Sequence, residues 1–167
     1  QLRPKGWETW VMRYVMLWIQ MAFGMHSLIS GLNYFLEFLP LPRVMHPIAG
    51  PFVDAMTAMG LFDLIKLVEV LVGFALVFNR FVPLALIAEL PTSITISWMS
   101  VIVVHSPRAV YTGLKEILFN LILLAWFAGW FTPLLRPRAE GRPLWNEWRG
   151  MLAALTGADT QKGATKP

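Results

Sequence analysis

Charged and hydrogen-bonding side chains are scarce in this chain, and many of them fall inside apolar runs. The stretch "DLIKLVEVLVGFALVFNRFVPLAL", 63–86, carries Asp63, Lys66 and Glu69 at three-residue intervals. That spacing puts the three on one drifting helical stripe. His26, Ser30 and Asn33 form a second stripe, and Lys115, Glu116 and Asn120 a third. Such groups have two uses in an apolar bundle. A carboxylate and an ammonium one turn apart can neutralise each other as an ion pair, and amides can hold helices together by hydrogen bonds. Gathered at one depth, the same groups can instead line a pocket and bind the polar end of a ligand. The residues expected at such a pocket are His26, Asn33, Asp63, Lys66, Glu69, Lys115, Glu116 and Asn120.

Other chemistries find less support. There is no cysteine, which excludes disulfides and thiolate ligation. No complete catalytic constellation stands out, so no catalytic residue is assigned. His26 has Gly24 and Ser27 beside it, which leaves room for a planar group. A bis-His haem needs a second deep histidine, and His46 and His105 fall outside or at the edge of the apolar runs. No haem or pigment is therefore expected at His26. Met25-His26 and Met45-His46 suit copper by ligand type, but the three histidines follow no known ligand spacing, so no metal site is expected.

The elements that must position these residues are membrane helices. Of 167 residues, 56% are hydrophobic and 14% charged. Soluble domains hold about 45–50% apolar and about 25% charged residues. The pI near 9.8 does not indicate nucleic acid, because the basic residues flank apolar segments and form no stripe. A spanning helix needs about 20 mostly apolar residues. Four candidates meet that measure, at about 14–36, 61–78, 82–104 and 114–131. The first is too long for a signal-peptide core and lacks a small-residue cleavage site. The expected fold is all-α: a single membrane domain built as a bundle of four transmembrane helices.

The connections complete this picture. A Pro-rich loop with Pro40, Pro42, Pro47 and Pro51 joins the first two spans, and "FVDAMTAMGLF" within it reads as a short amphipathic helix. Asn79-Arg80-Phe81 is a tight turn that makes the second and third spans antiparallel neighbours. The tail 132–167 is expected to form an interfacial helix around Trp145 and Trp148, then a disordered end. Ten Lys and Arg flank one side of the spans and two, Arg43 and Arg108, the other. The positive-inside rule then places both termini in the cytoplasm and the Pro-rich loop outside. With that orientation all four helices place ionisable groups toward the outer side. Glu89, two residues before Pro91, falls in the cytoplasmic half, where helix-kink compensation and pairing with another subunit are both open readings.

Two segments carry a family resemblance. "SGLN", Ser30 to Asn33, resembles a segment of DoxX-like membrane proteins. Lys66, Glu69 and Gly73, followed by Asn79-Arg80-Phe81-Val82-Pro83-Leu84 and then Pro91, resemble that family's second and third helices. Thr95 stands where the family pattern tends toward Asn. The resemblance covers about 14–132 and implies a four-helix membrane bundle. Relatives are linked to quinone-reducing thiosulfate oxidation and to membrane redox complexes. Branches with cysteines do thiol chemistry, which this chain cannot do.

The resemblance and the polar pocket together lead us to expect a DoxX-like subunit of a quinone-linked redox complex. A quinone or lipid-like ligand would sit near Lys66 and Glu69. The alternative is a non-catalytic accessory or assembly subunit of a respiratory or photosynthetic complex. No inverted repeat or broken-helix pair supports a transporter. Expected partners are the lipid bilayer and other membrane subunits, without nucleic acid. The expected location is the bacterial inner (plasma) membrane, as a multi-pass protein.

Overall fold

The computed structural model describes residues 6–40, 44–131 and 144–156. Every regular element among them is helical. Two compact units divide at residue 131. The first holds α1 (Gly6–Leu36), α2 (Ala49–Ala58), α3 (Leu61–Val77), α4 (Val82–Trp98), α5 (Pro107–Trp126) and the short α6 (Ala128–Phe131). A π-helical segment, Met99–Val104, continues α4. In the second unit the described element is α7 (Leu144–Thr156), whose Trp148 is exposed. The basic run before α7 and the expected disordered end, 157–167, lie outside the described residues.

Three helices are long and apolar enough to cross a membrane: Trp10–Leu36, Val82–Val104 and Pro107–Trp126. The chain thus has the makings of a multi-pass helical membrane protein. Its outer faces agree: Trp18, Leu64, Leu71, Leu84, Trp98 and Tyr111 are all exposed. A water-soluble protein rarely presents so much apolar surface. The second expected span is a helix with the expected limits, but α3 has only 17 residues, three of them charged. It rises about 25 Å at 1.5 Å per residue, short of the hydrocarbon core.

The last expected span begins earlier than hydropathy suggested. Ser106 accepts a hydrogen bond from the Ala109 amide at 3.2 Å, and Pro107 occupies the first helical position. An N-cap serine followed by proline is a strong helix start. Phe127 then interrupts the helix before α6.

Two close helix pairs make the bundle: α1 lies along α3, and α4 along α5. Glycines permit the first approach. A Cβ on Gly73 would stand 2.6 Å from the backbone N of Leu28, and one on Gly31 2.8 Å from the Lys66 carbonyl oxygen. No real Cβ tolerates such contacts, so small residues at the seam set the helix separation. The turn from α3 to α4 uses Asn79 and Phe81 at left-handed φ of 53° and 54°. The Gln20 amide holds it from α1, donating to the Leu76 carbonyl at 2.8 Å and to Asn79 Oδ1 at 3.1 Å.

The apolar core sits at this turn end. Phe23, Val72, Leu76, Val82, Ala85, Leu86 and Leu123 bring in all four long helices of the first unit. Further along each helix, away from the turn, the buried residues become polar: Ser27, Glu69, Glu89, Ser93 and Glu116.

Candidate functional site

The polar layer surrounds two cavities that share His26 and Ser30. The outer cavity, about 530 Å³, lies between α1, α2 and the start of α3. Ile29, Leu39, Val44, Val53 and Phe62 give it apolar walls, while His26, Ser30 and Lys66 supply polar groups. The inner chamber, about 250 Å³, lies between α1, α3, α4 and α5. Glu69, Glu89 and Glu116 line it together with Ser27, Thr112 and the shared residues.

Lys66 and Glu69 stand between the two. Lys66 Nζ is 2.8 Å from each Glu69 carboxylate oxygen and donates to Ser30 Oγ at 2.9 Å. An ammonium has three donors, and all three are used. Both side chains are largely buried, at 13% and 4% exposure. Lys66 lines the outer cavity and Glu69 the inner chamber, so this pair forms part of the wall between them.

His26 is 44% exposed, with Nε2 3.3 Å from Glu116 Oε2. That geometry fails as a hydrogen bond, and Glu116 Oε2 has no hydrogen-bond partner. Glu89 is 1% exposed, and its Oε2 is likewise without one. Two hydroxyls of the chamber donate away from it. Ser27 Oγ donates to the Phe23 carbonyl at 3.2 Å, and Thr112 Oγ1 to the Arg108 carbonyl at 2.9 Å. Their oxygen lone pairs remain as acceptors.

The expected site residues divide. His26, Lys66, Glu69 and Glu116 lie together around the two cavities. Asn33 lines the outer cavity, but its amide is committed to a loop: Nδ2 donates to the Leu39 carbonyl at 3.2 Å and Oδ1 accepts from the Leu39 amide at 2.6 Å. Asn120 is fully buried and ties α5 to α4, with Nδ2 3.3 Å from the Leu86 carbonyl and 3.2 Å from Ser93 Oγ. Asp63 accepts a hydrogen bond from the Tyr34 hydroxyl and lines neither cavity. Lys115 is half-buried and also lines neither. His46 caps α2 through Nδ1, which accepts from the Ala49 amide at 3.2 Å. Among the described residues no three His, Asp or Glu side chains are grouped to hold a metal ion.

Glu89 is the residue that the sequence reading placed elsewhere. Depth measured from the far helix ends puts it in the opposite half from Glu69. Measured from the shared turn, Glu69 lies about ten residues before Asn79 and Glu89 about eight after Phe81, or roughly 15 and 12 Å. The two carboxylates are therefore level. The longer α4 rod overhangs α3 at the other end, so halves counted along each helix do not correspond. Gln20 gives no signal in the sequence, because a lone amide in an apolar run carries no pattern. No family model matches the chain, and no similar protein was found among curated sequences or solved structures.

Proposed function

We propose that this chain is a membrane-embedded binding protein for a small amphipathic molecule of the quinone class, held in the outer cavity. The observation that carries the reading is the cavity's lining. A volume of about 530 Å³ falls within the range of small-molecule sites, about 300–1,000 Å³. Apolar walls from Ile29, Leu39, Val53 and Phe62 suit a ring and the start of an isoprenoid tail. The polar floor offers His26 and the Ser30 hydroxyl for recognition, while the donors of Lys66, Tyr34 and Thr57 are committed within the protein. When bound, a quinone would bring two-electron redox chemistry; the chain's part is to hold and orient it and to keep water from its ring.

In this reading α3 is the fourth span. Its charges lie against α1 and the cavity, which lets a 17-residue helix sit in the bundle without facing lipid along that stripe. Both termini then lie in the cytoplasm, and the chain is a subunit of a DoxX-like redox assembly in a bacterial inner membrane. The flanking charge bias and the "SGLN" and Lys66–Pro91 segments support this.

Titration of the full chain in nanodiscs with decylubiquinone tests the proposal. Saturable binding at one site per chain is expected. Val53→Trp, which fills the cavity without touching the ion pair, weakens it by about ten-fold or more. Binding that stays equally tight in Val53→Trp contradicts the outer cavity as the site.

A further inference from the structure

The inner chamber has a separate chemistry. We propose that it is a binding site for a compact monovalent cation, of the ammonium or alkali-ion class. The inference goes beyond the outer-cavity reading and does not rest on it. Its basis is the polarity of the lining. Glu89 Oε2 and Glu116 Oε2 are buried acceptors with no hydrogen-bond partner. Ser27 and Thr112 spend their protons on the Phe23 and Arg108 carbonyls and leave their lone pairs available. Apart from His26 and the Ser30 hydroxyl, which the outer cavity shares, the unused capacity of the chamber consists of acceptors, which a cation satisfies and a carbonyl ligand does not.

Charge points the same way. Three carboxylates line the chamber. Lys66 pairs with Glu69, and His26 faces Glu116. Among the described residues Glu89 has no ion-pair partner, though it is 1% exposed. A buried carboxylate left unpaired is costly, and one positive charge taken up there, a proton or a bound cation, removes that cost. The protein already holds one such arrangement, because Lys66 Nζ sits on a glutamate and a serine hydroxyl. A second ammonium between Glu89, Glu116 and the Thr112 hydroxyl would repeat it. The volume of about 250 Å³ admits a small amine or a partly hydrated alkali ion, since a water takes about 30 Å³. Among the described residues no three metal-ligating side chains are grouped, which argues against a divalent ion.

Thermal unfolding of the full chain in detergent tests this, with chloride salts at constant ionic strength balanced by N-methylglucamine. Ammonium, methylammonium, sodium and potassium are compared. The expected result is a saturable rise in midpoint with at least one small cation. A response confined to ammonium and methylammonium assigns an amine, and one shared with sodium or potassium an alkali ion. Glu89→Gln should weaken the response at least about ten-fold, and Thr112→Val about three-fold. An equal effect of every salt, N-methylglucamine included, overturns the proposal. So does a wild-type response in both variants. If Glu89→Gln fails to fold, the ion selectivity of the wild type and the Thr112→Val response still decide. Loss of decylubiquinone binding leaves this outcome untouched, so the two readings fail separately.

Discussion

At the residue scale, the side chain that matters most to the cavity wall is Lys66, and its worth lies in what it neutralises. Removing it strands Glu69, which is 4% exposed. Breaking a buried pair from one side typically costs about 3–5 kcal/mol, whereas replacing both partners is far milder. Lys66→Met is therefore expected to lower stability by about that much, and Lys66→Met/Glu69→Gln to recover most of it. Chemical denaturation in detergent, read by tryptophan fluorescence, measures the difference. Equal loss in the single and double variants would show that the pair does not act as a unit. Gln20 makes a simpler case. Gln20→Leu removes its bonds to the Leu76 carbonyl and Asn79 and is expected to cost about 1–3 kcal/mol in the same assay, because the buried carbonyl loses its donor.

At the element scale, close packing of α1 on α3 sets the cavity floor. Ser30 and His26 meet Lys66 and Glu69 because Gly31 and Gly73 let the two backbones approach. Gly73→Val puts a branched side chain where even a Cβ stands 2.6 Å from Leu28, so it should separate the helices and lower stability by at least about 2 kcal/mol. Gly129→Ala, which meets nothing within 4 Å, is the matched control and should fold as the wild type does. A Gly73→Val protein as stable as the control would contradict the seam.

Element limits were mostly legible in the sequence, because apolar length and the Asn79-Arg80-Phe81 turn both act locally. The helix limits of α3 and of the Val82–Val104 rod follow the apolar runs closely. The start of α5 did not follow hydropathy, since Ser106 and Pro107 set it by capping. The site was legible only in part. Periodicity shows which residues share a stripe, and it brought Lys66, Glu69, His26 and Glu116 together. It cannot show how far one helix overhangs another, which hid Glu89. Nor can it show which amides are consumed locally, which turned Asn33 and Asn120 into structural ties.

At the scale of the whole molecule, the polar layer makes sense only in a membrane. Apolar residues cover the outside of the first unit, and buried carboxylates lie within it. Burying charge in a bilayer costs several kcal/mol per group, so lipid drives these groups inward toward one another. The positive-inside bias predicts that both termini and Arg80 face the cytoplasm and that the loop at His46 faces outward. Single cysteines can be introduced without background, because the chain has none. A membrane-impermeant maleimide applied to intact cells is expected to label a cysteine at position 46 and not one at position 80. Labelling of position 80 alone would invert the topology.

The central claim is that the outer cavity holds a quinone-class molecule. Mass spectrometry of organic extracts from the chain purified out of native membranes tests it most directly. An isoprenoid quinone near one equivalent per chain is expected in the wild type, with most of it lost in Val53→Trp. Extracts with only trace quinone, or with equal quinone in both proteins, would contradict it.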